Sequence, residues 1–237
     1  LNGTGEHVID DRWASSPGAG APSLDALERL LRGPRCRLSA TDQADVPEIA
    51  RMANDPEIGQ RWRMKGQMLS PDMAYAVLWK DAYLNLSIRV GKDPSVVGLF
   101  SVTGFDHTNR HAALSILLGR RLVGSGLGVE AMALGINFTF ASTPLRKLYG
   151  QVPAYNFDQF ASGSAKFFEV EGRLAEHEYF QGTYWDMFII SVTRERWEDE
   201  SVARLLRDRA QGVGVAVPLA EPDPPNNTNH GRNNPTK

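Results

Sequence analysis

The chain has 237 residues, 42% hydrophobic and 23% charged, with a formal net charge of −2 and a sequence pI near 6.2. That length suits one domain with extensions better than two, and the composition excludes collagen, a coiled coil and wholesale disorder. A nucleic-acid partner would need a local basic patch to overcome this charge balance, and the sequence offers none.

Residues 1–35 read as an N-terminal extension. The opening LNGTGEHVIDDRW lacks the basic start and apolar run of a secretory signal, and no later run approaches a membrane span. After the flexible stretch ASSPGAGAP, Ser23 is an N-cap candidate for a short helix reaching Arg32. Leu24, Leu27 and Leu31 share its inner face and Gly33-Pro34 stops it. The lone cysteine, Cys36, can neither close an internal disulfide nor build a metal site unaided, which points to a reducing, cytoplasmic setting.

From 36 to 198 the pattern is that of a single domain. Asp45 with Glu48 resembles a capping box, and Val46, Ile49, Ala50 and Ala53 form a helical stripe ending at Asn54-Asp55-Pro56. Ser70-Pro71 opens a second helix carrying Met73, Tyr75, Leu78 and Trp79. The period then drops to two. Leu84, Leu86, Ile88 and Val90 alternate with polar residues, GKDPS turns the chain into 96–103, and DHTNR turns it into 111–118, giving a three-stranded meander. A glycine cluster opens a further helix. A strand over 145–152, a helix over 156–168 and a hairpin of 173–180 with 184–192 complete the order α, α, βββ, α, β, α, ββ. This predicts an α/β (α+β) layer with a mixed, largely antiparallel sheet flanked by helices. Residues 199–217 read as a helix or linker. The tail 218–237, with five prolines and five asparagines, reads as disordered.

The informative segment is Arg121-Leu122-Val123-Gly124-Ser125-Gly126-Leu127-Gly128, set between a strand and a helix. Glycines there let backbone N–H groups approach an anion at the positive end of a helix. No Walker A string is present. The dinucleotide fingerprint fails too, because Val129 takes its third glycine position and no acidic residue follows in 145–152.

Arg121-x-x-Gly124-x-Gly126 instead matches the acyl-CoA pyrophosphate motif of the GNAT acetyltransferases, and the element order over 36–198 resembles that fold. Asn54-Asp55-Pro56-Glu57, Gly126-Leu127-Gly128-Val129-Glu130-Ala131, Asn156, Phe168-x-x-Glu171-Gly172, Asp186 and Trp197 together resemble the branch that includes the ribosomal-protein N-terminal acetyltransferases. The resemblance implies transfer of an acetyl group from acetyl-CoA to a primary amine, a protein N-terminus or a small molecule, by direct attack and without a metal. It implies that Arg121, Leu122, Val123, Gly124, Ser125 and Gly126 hold the pyrophosphate. It also implies that backbone groups of Ile116, Leu117 and Leu118 line the pantetheine arm and that Asn156 contacts it.

The acid-base groups are less legible. Glu176, His177 and Glu178 fall on one predicted strand, where alternation sets Glu176 and Glu178 on one face, and His107 and His111 flank another. Glu178 is taken as a candidate base. The tyrosine that many family members carry seven residues after the asparagine is Gly163 here, Gln159 replaces a serine and Phe167 a glycine, so Ser162 or Ser164 is the candidate thiol contact. These departures leave open a second expectation, a GNAT-like CoA-binding or regulatory module with weakened catalysis.

Overall fold

A computed structural model describes residues 24–157 and 168–199. The expected extension before residue 24, the helix beyond residue 157, the linker and the tail lie outside these residues. The elements are α1 (Leu24–Leu30), β1 (Cys36–Ala40), α2 (Val46–Ala53), α3 (Pro71–Trp79), β2 (Ala82–Val90), β3 (Gly98–Asp106), β4 (His111–Leu118), α4 (Leu127–Ser142), β5 (Lys147–Pro153), β6 (Glu169–Phe180), β7 (Thr183–Thr193) and α5 (Arg194–Asp199). The strands make one seven-stranded sheet in the order β1-β2-β3-β4-β5-β7-β6. Every neighbouring pair is antiparallel except β4 and β5, which run parallel. The mixed, largely antiparallel sheet expected from the sequence is therefore present.

Each face of the sheet carries its own core. On one side α4 lays Leu127, Ala131, Leu134 and Ile136 against Phe100, Val102 and Leu148. A Cβ at Gly135 would come within 2.7 Å of the Phe100 ring, so glycine there allows α4 to lie close on β3. On the other side α2 and α3 bury Val46, Ile49, Met52 and Leu78 against Leu99 and Leu117. α1 buries Leu30, which the expected face of Leu24, Leu27 and Leu31 did not include, and Leu31 just beyond its end packs partly buried against the core.

Four sequence readings need correction. First, β1 is an additional strand that the periodicity did not show, because only Cys36 and Leu38 of its five residues face the core. Second, the capping box uses Asp42 and Asp45. Asp42 accepts from the N–H groups of Ala44 and Asp45, while Asp45 accepts from the N–H of Asp42. Asp45 also accepts from Ser87 at 2.6 Å and Arg89 at 2.7 Å, so its carboxylate serves the sheet and leaves α2 without a side-chain cap. Third, α3 starts at the Ser70 cap as read, but it buries Ala74 and Leu78 and exposes Met73, Tyr75 and Trp79, so the stripe is narrower. Fourth, the simple alternation through 176–178 fails. The register of β6 against β7 shifts between Leu174 and Glu178, Glu176 takes a φ of 49°, and its N–H donates to Asp186 at 2.9 Å.

The β6–β7 hairpin turns on Gln181 and Gly182, both at positive φ, which is the tight turn that matches the twist of its strands.

Candidate active site

The parallel pairing of β4 and β5 covers only His111 with Lys147, Ala112 with Leu148 and Ala113 with Tyr149. Beyond it the strands separate, and a cavity of about 420 Å³ opens between them. Leu114, Ser115 and Ile116 of β4 line one side, Gly150 to Pro153 of β5 the other, and Met132 of α4 and Asn156 also contribute. The Gly119 N–H donates to Val97 O, which fixes the alternation along β4. Ser115 and Leu117 turn their backbone groups toward β3, while Leu114, Ile116 and Leu118 turn theirs toward the opening. Ile116 and Leu118 thus sit as a bound arm would require. Leu117 does not, since its backbone faces β3 and its side chain belongs to the core under α2 and α3.

Just past β4 the chain makes a single 3₁₀ turn over Arg120–Leu122 and enters the glycine loop. Gly124 and Gly126 have φ values of 78° and 76°, a conformation that side-chain-bearing residues rarely adopt. A Cβ on Gly124 would meet nothing within 4 Å, and one on Gly126 only the Arg35 guanidinium. The N–H groups of Leu122, Val123 and Ser125 are spent inside the loop, on the carbonyls of Gly119, Arg120 and Leu122. The Leu127 N–H goes to Ser125 Oγ, which in turn donates to Leu122 O. Among the described residues this leaves the N–H groups of Gly124, Gly126, Gly128 and Val129 for an anion at the start of α4. Arg121 is exposed beside them. The loop is an open cradle of suitable charge for a pyrophosphate.

The other wall of the cavity comes from the segment joining α2 to α3. Arg61, Trp62, Arg63 and Lys65 line it. Asn54, at the end of α2, pins that segment by donating to Leu69 O at 2.7 Å and accepting from the Leu69 N–H at 2.8 Å. Arg61 donates to Asn156 Oδ1 at 3.2 Å. Lys65 pairs with Glu178, which reaches in from β6, so that carboxylate is held by a cation. Tyr155 donates to Gln60 O at 2.8 Å; burial, and then the Glu178 charge, push its phenol up to about 12. Burial lowers the Arg63 pKa. Side-chain atoms of three residues that line the cavity, Trp62 Nε1, Arg63 Nε and Ser115 Oγ, are buried without a hydrogen-bond partner. Polar atoms stay unpaired in a folded interior at a cost, and these three belong to residues that line this one cavity.

Ser162 and Ser164 lie outside the described residues. His111 stands at the paired end of β4, edge-on to Tyr149, and His107 lies against Phe105, both away from the opening. Trp197 is buried and donates to Asn137, and Trp185 packs edge-on against Tyr155; Trp79 is partly exposed and stacks on Tyr75. Arg120 pairs with Glu57 rather than standing free. Sequence reasoning missed Ser115 and the trio Arg61, Arg63 and Lys65. The alternation of basic and apolar residues in RWRMK was the available signal, although the segment follows a turn rather than a strand.

Residues 35–161 match the acetyltransferase (GNAT) domain family. The chain belongs to this family. It is similar to the uncharacterized N-acetyltransferase p20 of Bacillus licheniformis, with 26% identity over 111 residues, covering 47% of this chain and 62% of that protein. The match thus spans less than two thirds of that relative. Its fold is similar to that of a spermidine N-acetyltransferase from Vibrio cholerae solved with CoA and spermine, at a TM-score of 0.62 and 18% identity, over 70% of this chain and all of that one. A chimera of the Vibrio cholerae enzyme with hSSAT gives a TM-score of 0.61 at 18% identity, over 70% of this chain and 99% of that one. The motif residues of the family thus fall where the fold opens: the glycine loop after β4 and Asn156 after β5. Among the described residues no helix is long and apolar enough to cross a membrane, and no group of His, Cys, Asp and Glu could hold a metal ion.

Proposed function

We propose that this chain is an N-acetyltransferase that uses acetyl-CoA and transfers the acetyl group to a primary amine by direct attack. The observation that carries the reading is the separation of β4 from β5 beside an open, positive-φ glycine loop. In this reading the N–H groups of Gly124, Gly126, Gly128 and Val129 hold the pyrophosphate, with Arg121 alongside. Leu114, Ile116 and Leu118 offer backbone partners to the pantetheine arm, and Asn156 approaches it from β5. The bound thioester supplies the activated acetyl group. Ser115, whose hydroxyl is buried and unpartnered, is placed to donate toward charge that develops on the reacting group. The acceptor enters over Arg61, Arg63 and Lys65. It is a protein N-terminus, as in the ribosomal-protein branch that the motifs resemble, or a small amine, as spermine is for the Vibrio cholerae enzyme.

One observation favours the second reading, a CoA-binding module with weakened catalysis. Among the described residues no carboxylate or histidine lines the cavity, and Glu178 is engaged by Lys65. Direct attack needs an unprotonated amine, so without such a base the rate rises with pH toward the amine's own pKa.

Calorimetry with acetyl-CoA tests the site. Binding is expected to the unmodified chain and to be lost in Gly124→Trp and Gly126→Trp, because any side chain is strained at these φ values and an indole fills the cradle. Release of CoA thiol over a panel of amines and N-terminal peptides separates enzyme from module. Binding without release on any acceptor would favour the module, and no binding would overturn both readings.

A further inference from the structure

We infer that the acceptor amine carries an anionic group, a carboxylate or a phosphate, that docks on Arg61, Arg63 and Lys65. This rests on the acetyltransferase reading and narrows its substrate class.

The argument starts from charge. The cavity is lined by three cations and, among the described residues, by no carboxylate. Among the described residues only Lys65 has an acidic partner, Glu178, and the Arg61 and Arg63 guanidinium groups have none. Arg61 donates to a neutral amide oxygen. Arg63 lies over the Trp62 ring, 5.3 Å from its centroid, and reaches only the Val77 carbonyl, at 3.4 Å. Its Nε is buried with no partner. An arginine Nε–H buried without an acceptor is costly, and the planar fork of a half-buried guanidinium suits carboxylate and phosphate oxygens.

These cations are distinct from those of the glycine loop. Arg121 belongs to the turn after β4, and Arg35 donates to Ser125 O. Arg61, Arg63 and Lys65 come instead from the segment between α2 and α3, which Asn54 ties to Leu69. They line the cavity, which no residue of the glycine loop does, and this assigns them to the acceptor rather than to the pyrophosphate. A polyamine would bring further positive charge into this wall and be repelled by it, so the acceptor preference is opposite in sign to that of a spermine-binding site.

Four probes sharing an aminoethyl head separate the possibilities: β-alanine, O-phosphoethanolamine, ethanolamine and spermidine. At saturating acetyl-CoA, kcat/KM for the better of the two anionic amines is expected to exceed that for ethanolamine by at least about tenfold, the scale of a hydrogen bond to a charged group. The preference should shrink as salt is raised. Comparison of β-alanine with O-phosphoethanolamine distinguishes the carboxylate from the phosphate source. In Arg61→Gln, which keeps an amide donor for Asn156, the preference should collapse while acetyl-CoA affinity changes far less. Arg61→Lys should restore part of it. Equal or better turnover of ethanolamine or spermidine, with acetyl-CoA still bound, overturns the inference and leaves the acetyltransferase reading intact. Should no probe be turned over, the acetyltransferase reading is decided by the wider panel of amines and N-terminal peptides. The same four are then titrated calorimetrically against the CoA-bound chain, where failure of the anions to bind more tightly overturns the inference as well.

Discussion

Glu130 joins the glycine loop to the start of the sheet. It stands in the first turns of α4, where its Oε1 accepts from the backbone N–H groups of Arg35 at 2.8 Å and Cys36 at 3.1 Å, and its Oε2 from Arg35 Nε at 2.8 Å. Arg35 in turn donates to Ser125 O at 2.9 Å. Burial alone would raise the Glu130 pKa, but these N–H donors outweigh it and hold the carboxyl below its ordinary range. The neighbouring Cys36 thiol responds in the opposite direction. Burial, and then the Glu130 charge, push it up to about 12, so it stays protonated and is no nucleophile. Glu130→Gln keeps the shape but removes the charge and turns an NH₂ group toward donors. We expect it to cost about 1–3 kcal/mol, a fall in Tm of several degrees, and to weaken acetyl-CoA binding as Arg35 loses its anchor. An unchanged Tm by calorimetry would contradict this account.

The segment between α2 and α3 shows how an element without regular structure is held in place. Asn54 closes it with a paired amide contact across fifteen residues, and Asp55 accepts from the N–H groups of Glu57 and Ile58 to start its first turn. The sequence showed Asn54-Asp55-Pro56 as the end of a helix, because turn residues there are a local signal. It could not show that Asn54 reaches Leu69, since that bond depends on the path of the intervening chain. Arg61, Arg63 and Lys65 were illegible as a group for the same reason. Asn54→Ala removes both amide contacts and leaves the buried Leu69 carbonyl and N–H unpaired. It should cost about 1–3 kcal/mol in chemical denaturation and raise the acceptor KM several-fold. The acetyl-CoA affinity should fall far less, because Arg35 and Glu130 anchor the glycine loop and only the Arg120–Glu57 pair ties its leading turn to this segment. Equal loss of acetyl-CoA affinity would show that the two walls are not independently held.

At the scale of the whole molecule, the β2–β3–β4 meander was legible from its apolar runs and turn residues and α2 from its stripe, whereas short β1 and exposed β6 carry no such run. The glycine loop was legible because its backbone conformation demands glycine at 124 and 126. What stayed hidden depends on contacts between distant segments. Asp45 looked like the cap of α2 but serves Ser87 and Arg89, and Glu178 looked like a free base but pairs with Lys65. A different set of carboxylates, several of them held by near neighbours in the chain, sets the response of the fold to acid. In the folded chain the Glu48, Glu130, Glu171, Asp93, Asp106 and Asp186 carboxyls all lie below their ordinary values of 4.5 for Glu and 3.8 for Asp. The Arg51 side chain lowers Glu48 and the Lys147 ammonium lowers Glu171. Backbone N–H groups of Ser95, Asn109 and Glu176 lower Asp93, Asp106 and Asp186. A group depressed on folding binds its proton more readily in the unfolded chain. Its contribution is therefore fully present above the unfolded pKa and is lost as pH falls through the folded one. Thermal melts should show this carboxylate contribution unchanged from pH 7 down to about 5, then a steepening fall in Tm below about 4.5. Glu130→Gln should lower the plateau and flatten the fall, because one of the six groups no longer titrates. A Tm that rises on acidification from pH 5 to pH 4 would show that these carboxylates are not the groups that couple folding to protons.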